Sequence, residues 1–507
     1  MTRPGPEAPL LVGIDVGTTS VRAIAFDRRG RKVAAAARPT PIRPVETGGE
    51  HDPEAIFAAT LDALAELGRS LGGAPVAGLA VASFGESCVL VGDDGRPLAP
   101  AITWHDRRTG PAARDLAVGI GSDRVFAVTG LSIEPIFSLL KLAWMRDHWS
   151  DAFSAARRIL LMADWIAFRL SGVAATDPSI ASRTLYFDIH RRAWSEEMLA
   201  FAGVDPRLLP AIRASGTALG PLLPEVLTAT GLAGNPVVGV GAHDHIVGSF
   251  AAGLVEPGVV LNSIGTAEAV LFATAAPLGN PAVADQGYFQ GAVGTDRQMS
   301  YIGGGIYSSG GTIDWFREIA GGADHGALIA AASVIPAGSG GVAFLPHLVN
   351  APPPHPDDHA RGAFFGLTLS ATRAALYRAV LEGLAMQART MLDGMVALTG
   401  LGQPRTIRVI GGGARNHLLL SIKANVFARP IVVVDEPEAT ALGAALLGGV
   451  AAGVFASLDA ALAGLDRTEH VIEPDGSADT YARLKAMVFD RLHDTVRPIS
   501  RALSATI

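Results

Sequence analysis

Apolar residues open the chain in three short runs, at residues 10–16, 21–26 and 32–37, each separated from the next by small or charged residues, as in strands joined by tight turns. Asp52-Pro53-Glu54 then signals a helix start, and Ile56, Leu61, Leu64 and Leu67 follow at helical spacing. Residues 76–82 read as a buried strand and Asp93-Asp94-Gly95-Arg96 as a hairpin turn. From residue 123 to 232 the pattern is mostly helical, and residues 236–240 then form a strand ending in Gly241-Ala242-His243-Asp244-His245. A loop rich in Pro and His covers residues 345–359. Beyond it a strand at 407–410 runs into Gly411-Gly412-Gly413-Ala414-Arg415-Asn416 and a helix carrying Leu418, Leu419, Ile422 and Phe427. A strand at 431–434 precedes an Ala-rich apolar stretch at 441–456, too short and too weakly hydrophobic to span a membrane and read as a buried helix. Strands and helices interleaved in this order predict an α/β fold.

One segment of the pattern occurs twice. Residues 10–26 place Asp15 and Gly17-Thr18-Thr19-Ser20 between two apolar strands, and residues 260–272 place Gly265-Thr266 between two more. Gly17 and Gly265 are 248 positions apart in a chain of 507, so the chain reads as two similar halves. Glycine lets each turn bend tightly and leaves backbone N–H groups for phosphate oxygens; the Thr hydroxyls add donors, and Asp15 suits a hydrated magnesium ion. Ser263 stands where Asp15 would be, so only the first half carries the metal carboxylate. The alternative for the first segment is an ordinary hairpin whose Asp and Thr satisfy their own backbone. Two such turns facing each other suit a nucleoside triphosphate held between two domains.

A chain of this length exceeds one hydrophobic core, and 49% hydrophobic against 18% charged residues supports a large folded interior. A net charge of −7 gives no basic footprint, so small polar substrates are expected and nucleic acid is not. The single cysteine, Cys88, cannot form an intrachain disulfide, residues 1–9 lack the pattern of an export signal, and no membrane span is expected; a cytoplasmic location follows.

Taken in order, these pieces resemble the FGGY family of carbohydrate kinases, in the superfamily of actin, hexokinase and heat-shock chaperone ATPases. The resemblance rests on Asp15 to Ser20, Trp104-His105-Asp106-Arg107-Arg108, residues 137–144, residues 176–179 with Ala181-Ser182-Arg183-Thr184, residues 241–245, Gly265-Thr266, residues 362–367 and residues 411–416. It implies two ribonuclease H-like (actin/hexokinase-like) domains related by internal duplication and flanking a central cleft: a sugar-binding domain at 1–250 and a nucleotide-binding domain at 251–507. It further implies ATP and Mg2+ as cofactors, with Asp244 as general base and Asp15 organising the metal. Thr18, Thr19, Gly265 and Thr266 would hold phosphates, and Gly411, Gly412, Gly413 and Asn416 would border the adenosine. The implied partner is a small sugar or polyol, and the resemblance admits a homodimer.

The substrate residues depart from the best-known relatives. Xylulose kinases of the family usually carry Gln-Met-His where this chain has Phe84-Gly85-Glu86. Glycerol kinases carry an Arg-Glu pair there, which Glu86 half matches; Trp104 matches their pocket tryptophan, while Ile136 replaces their tyrosine. Glu86 can accept hydrogen bonds from vicinal hydroxyls and Trp104 offers an apolar face, so both are candidate substrate contacts; the alternative for Glu86 is a solvent-facing residue. Asp244 could instead cap a helix. His243 and His245, two residues apart, are expected on opposite sides in structural roles, and Lys141, Arg107 and Arg108 are expected to form surface or scaffold pairs. The rival function is a nucleotide-regulated sensor or chaperone-like ATPase, which would need no sugar-facing base.

Overall fold

A computed structural model describes residues 9–506, so the stretch read as lacking an export signal lies, up to residue 8, outside the described residues. The N-terminal sheet contains β1 (Leu10–Val16), β2 (Ser20–Phe26), β3 (Lys32–Pro39), β4 (Val76–Ser83) and β5 (Val237–His243). Its spatial order is β5-β4-β1-β2-β3, with Ala218–Pro221 beyond β5. The first three strands form an antiparallel meander, while β4 and β5 add in parallel. The second sheet repeats the plan with β6 (Val259–Ile264), β7 (Glu268–Thr274), β8 (Ser300–Ile306), β9 (Thr406–Ile410) and β10 (Ile431–Val434), ordered β10-β9-β6-β7-β8. Here too the first three are antiparallel and the last two parallel. Equal strand order and direction in both halves are the structural expression of the repeated hairpin.

β1 is buried at every position, which is why it reads as a continuous apolar run instead of an alternating one. The helix α1 (Pro53–Leu71) starts where expected: Asp52 accepts hydrogen bonds from the N–H groups of Glu54 and Ala55, and Pro53 occupies the first turn. The stretch 123–232 is less helical than its periodicity predicts. Short helices there alternate with strands such as Arg158–Leu161 and Ala175–Thr176, and four of the helices stop at left-handed glycines, Gly130, Gly172, Gly203 and Gly231.

The Ala-rich stretch is a buried helix, Ala439–Ala451, one of two that lie between the sheets; the other is Asp244–Ala251. Its small residues allow close approach: a methyl group on Gly13 would stand 1.8 Å from the Ala441 carbonyl oxygen, and one on Gly448 2.6 Å from the backbone of Leu79. Ala80, Ala82, Val247 and Phe250 share one apolar cluster with Leu261, Leu271, Ala444 and Leu447, so the two halves meet across these helices. Among the described residues, no helix is long and apolar enough to cross a membrane.

Candidate active site

Parallel pairing brings the ends of β1, β4 and β5 together. Asp15 lies beside Ala82, and Ala82 beside Ala242; Val16 lies beside Ser83, and Ser83 beside His243. Asp15, the loop 84–86 and Asp244 therefore emerge at one edge of one sheet, where ligands of open α/β sheets bind. Asp15 is buried, and directly opposite it on β2 the Arg22 guanidinium donates to its Oδ2 at 2.5 Å. Arg22 also donates to Glu438 at 2.7 Å. Burial raises the Asp15 carboxyl above the usual carboxylate range, with Arg22 opposing. Thr18 and Thr19 are exposed at the turn, and neither hydroxyl bonds to the protein among the described residues. That disfavours the ordinary-hairpin alternative.

In the second sheet β6 and β9 run side by side, with Ser263 beside Ile410, so the turn at Gly265-Thr266 and the segment Gly411–Asn416 leave the sheet as neighbours. Gly411 has φ 95°, and a side chain there would strike the Ile264 carbonyl. Asn416 caps the helix His417–Phe427 by accepting the Leu419 N–H at 3.1 Å. The Gly265-Thr266 turn is braced from behind. Its Thr266 carbonyl accepts the N–H of Ser309 at 2.9 Å, and Glu268, just past it, receives the fully buried Lys423 ammonium at 2.5 Å and the Ser309 hydroxyl at 2.8 Å.

Glu86 is buried, not solvent-facing, and its Oε1 accepts Arg183 Nε at 2.8 Å. Arg183 is wedged between the rings of Phe137 and Phe289, 5.3 and 5.4 Å from their centroids. The space above Gly85 is filled by His243: a methyl on Gly85 would stand 3.0 and 3.1 Å from its ring atoms Cδ2 and Nε2. An arginine at position 85 would thus collide with His243, and the guanidinium beside Glu86 comes instead from Arg183. Trp104 follows a short strand, Ala101–Ile102, paired with Gly48–His51, and His51 stacks on Phe84 at 5.1 Å, next to Gly85. Glu134 adds a further carboxylate, raised by desolvation, with Arg183 opposing and Glu86 and Asp358 adding to the rise.

Asp244 is the first residue of its helix, and its Oδ1 accepts the N–H of His245 at 2.6 Å, the adjacent residue and not one a turn further on. His243 and His245 do not point to opposite sides. The strand gives way to helix between them, so their rings stack at 5.4 Å, with Nε2 atoms 3.4 and 4.0 Å from the same Asp244 oxygen. Burial holds the His243 imidazole neutral, its pKa pulled down to about 3, and its Nδ1 is buried without a partner. Arg108 is a scaffold pair with Asp106 and Glu50 at 2.9 and 2.8 Å. Lys141 is fully buried and on no surface; its Nζ donates to the Glu86 carbonyl at 2.8 Å.

Sequence reasoning missed Arg22, Glu438, Arg183 and the burial of Lys141. Arg22 was open to detection, since residues seven apart across a tight hairpin fall opposite each other. Arg183 sits within a motif quoted for the family but pairs with a residue 97 positions away. A cavity of about 240 Å³ lined by His347, His355, His493 and Lys485 holds none of the candidate site residues.

Comparison with known proteins agrees with this geometry. Residues 10–251 match the FGGY family of carbohydrate kinases, N-terminal domain, and residues 260–452 match its C-terminal domain. Glycerol kinase from Bordetella parapertussis is 34% identical over 486 residues, covering 92% of this chain and 94% of that protein. Glycerol kinase from Methylibium petroleiphilum is 35% identical, covering 89% and 92%. The crystal structure of xylulose kinase from Rhodospirillum rubrum superposes with a TM-score of 0.87 at 28% identity, covering 97% of this chain and all of that one. The chain belongs to the FGGY family of carbohydrate kinases and is an ATP-dependent, magnesium-assisted phosphotransferase acting on an alcohol group of a small sugar or polyol.

Proposed function

We propose that this kinase transfers the γ-phosphoryl group of ATP to a hydroxyl of a small, uncharged ketose or sugar alcohol in the cytoplasm, within carbohydrate catabolism. The observation that carries the reading is the emergence of Asp15, the Glu86 loop and Asp244 from three adjacent parallel strands. Asp244 takes the proton from the acceptor hydroxyl as it attacks in line, because a sugar hydroxyl is a poor nucleophile on its own. His243 beside it, held neutral by burial, does not compete for the proton. Glu86 accepts acceptor hydroxyls through the carboxylate oxygen that Arg183 leaves free, and Trp104 supplies an apolar wall. Glu86, Glu134 and Asp244 against Arg183 make the pocket unfavourable for an acidic sugar, which is why the acceptor is uncharged.

Asp15 fits a hydrated Mg2+: it is a carboxylate at the strand end whose Oδ1 carries no protein donor among the described residues. The ion would neutralise phosphate charge. Thr18, Thr19, Gly265 and Thr266 bind the phosphates, and Gly411, Gly412, Gly413 and Asn416 border the adenosine. Residues 1–250 and 251–507 are the sugar and nucleotide domains. ADP release measured across glycerol, tetritols, pentuloses, hexuloses, pentitols and gluconate tests the reading. One uncharged acceptor should stimulate ADP release strongly and gluconate should not; hydrolysis without an acceptor as fast as with the best one would overturn it.

A further inference from the structure

We propose that Lys141 and Ser138 are positioning residues for acceptor recognition, holding Glu86 in a strained backbone conformation that aims its carboxylate at the acceptor. The inference rests on the assignment of Glu86 as an acceptor contact. Glu86 has φ 64°, a left-handed conformation that a non-glycine residue adopts only when its surroundings enforce it. The enforcing groups are two donors on one carbonyl: the Ser138 hydroxyl at 3.0 Å and the Lys141 ammonium at 2.8 Å reach the Glu86 backbone oxygen. Both come from the first turns of the helix Ser138–His148, and both are fully buried. The Lys141 ammonium has no carboxylate within ion-pair distance among the described residues, so the carbonyl is the partner that justifies its burial.

The same helix is tied to the other half of the Glu86 contact. The Leu139 N–H donates to the Thr184 carbonyl at 2.9 Å, and the neighbouring Arg183 holds the Glu86 side chain at 2.8 Å. One helix therefore sets the Glu86 backbone directly and its carboxylate through Arg183. Without the two donors, the backbone at Glu86 relaxes towards negative φ and the carboxylate turns out of register, while the nucleotide side is untouched.

The experiment is a set of steady-state measurements on Lys141→Met, Ser138→Ala, Glu86→Ala and the doubles Glu86→Ala/Lys141→Met and Glu86→Ala/Ser138→Ala, using the best-turned-over acceptor of the panel above and ATP. A charge-assisted hydrogen bond is worth about 10- to 100-fold, so Lys141→Met should raise acceptor KM by about that factor, and Ser138→Ala by about 3- to 10-fold. ATP KM and kcat should stay within about threefold of wild type. If these residues act through Glu86, each adds less than about twofold once Glu86 is already Ala, whereas a general structural role would be additive. Additive effects, equal rises in both KM values, or an unchanged acceptor KM in both single variants would overturn the inference. Should Lys141→Met fail to fold, Ser138→Ala and its double decide the matter. If Glu86→Ala itself leaves acceptor KM unchanged, the substrate reading fails and this inference with it. If Glu86→Ala raises acceptor KM and the two helix variants do not, this inference alone fails.

Discussion

Two fully buried lysines brace the two sides of the proposed site, one assigned to nucleotide and one to sugar in that proposal, and they do so differently. On the nucleotide side, Lys423 meets Glu268 at 2.5 Å and Asn262 at 3.0 Å, and Glu268 shares its second oxygen with Ser309, so charge and hydrogen bonds are both satisfied. On the sugar side, Lys141 meets a carbonyl alone, and burial pulls its pKa down to about 8, with Cys88, Glu86 and Asp106 opposing and Arg108 adding. The Gly265-Thr266 turn is thus locked by a closed network, while the Glu86 loop is held by a cation without an opposite charge. The two sides of the proposed site therefore differ in how much of their bracing charge is matched.

The largest effect expected from breaking this contrast lies at the closed network. Lys423→Met or Glu268→Gln leaves one buried charge or its partners unmatched and should destabilise the fold by about 3–5 kcal/mol. Removing both charges in Lys423→Met/Glu268→Met should recover most of the loss in thermal or urea unfolding. A double variant no more stable than the singles would mean that the pair does not act as a unit.

Position 85 gives a smaller effect. Gly85→Arg forces a side chain into the His243 ring and should cost about 1–3 kcal/mol of stability through overpacking. Adding His243→Gly should return the melting temperature towards wild type. A fully stable Gly85→Arg single variant would show that His243 moves aside freely.

The smallest effect is on pH dependence. Lys141 has a folded pKa of about 8 against 10.5 unfolded, so between those values the unfolded chain binds more protons and folding gains stability as pH rises. Relative to Lys141→Met, the wild-type protein should gain about 1 kcal/mol from pH 7.5 to 9 in urea unfolding. A pH-independent difference between the two proteins would contradict the burial of a charged Lys141.

The same contrast explains what could be read from sequence. The nucleotide side is built from local signals: a glycine turn after a strand, a repeat of that turn and a triple glycine before a capped helix. Residues 260–272 and 407–416 announce these elements directly, and β1, β9 and β10 lie where the apolar runs put them within two residues. The sugar side is built from distant partners. Glu86 depends on Lys141, 55 positions away, and on Arg183, 97 positions away, and neither spacing leaves a periodic trace. Strand spacing puts His243 and His245 on opposite sides only if the strand continues, and it turns into helix between them. The stretch 123–232 carries a helical period throughout because short amphipathic pieces with glycine stops share the period of longer helices.

Central to the account is Asp244 as the group that accepts the acceptor proton, and Asp244→Asn tests it most directly, since asparagine keeps the size and the hydrogen bond from His245. With the best uncharged acceptor, kcat should fall by about 10²- to 10⁴-fold while ATP binding and melting temperature stay close to wild type. Retention of more than about a tenth of wild-type turnover would contradict it, because a residue serving only as a helix cap tolerates asparagine with little change.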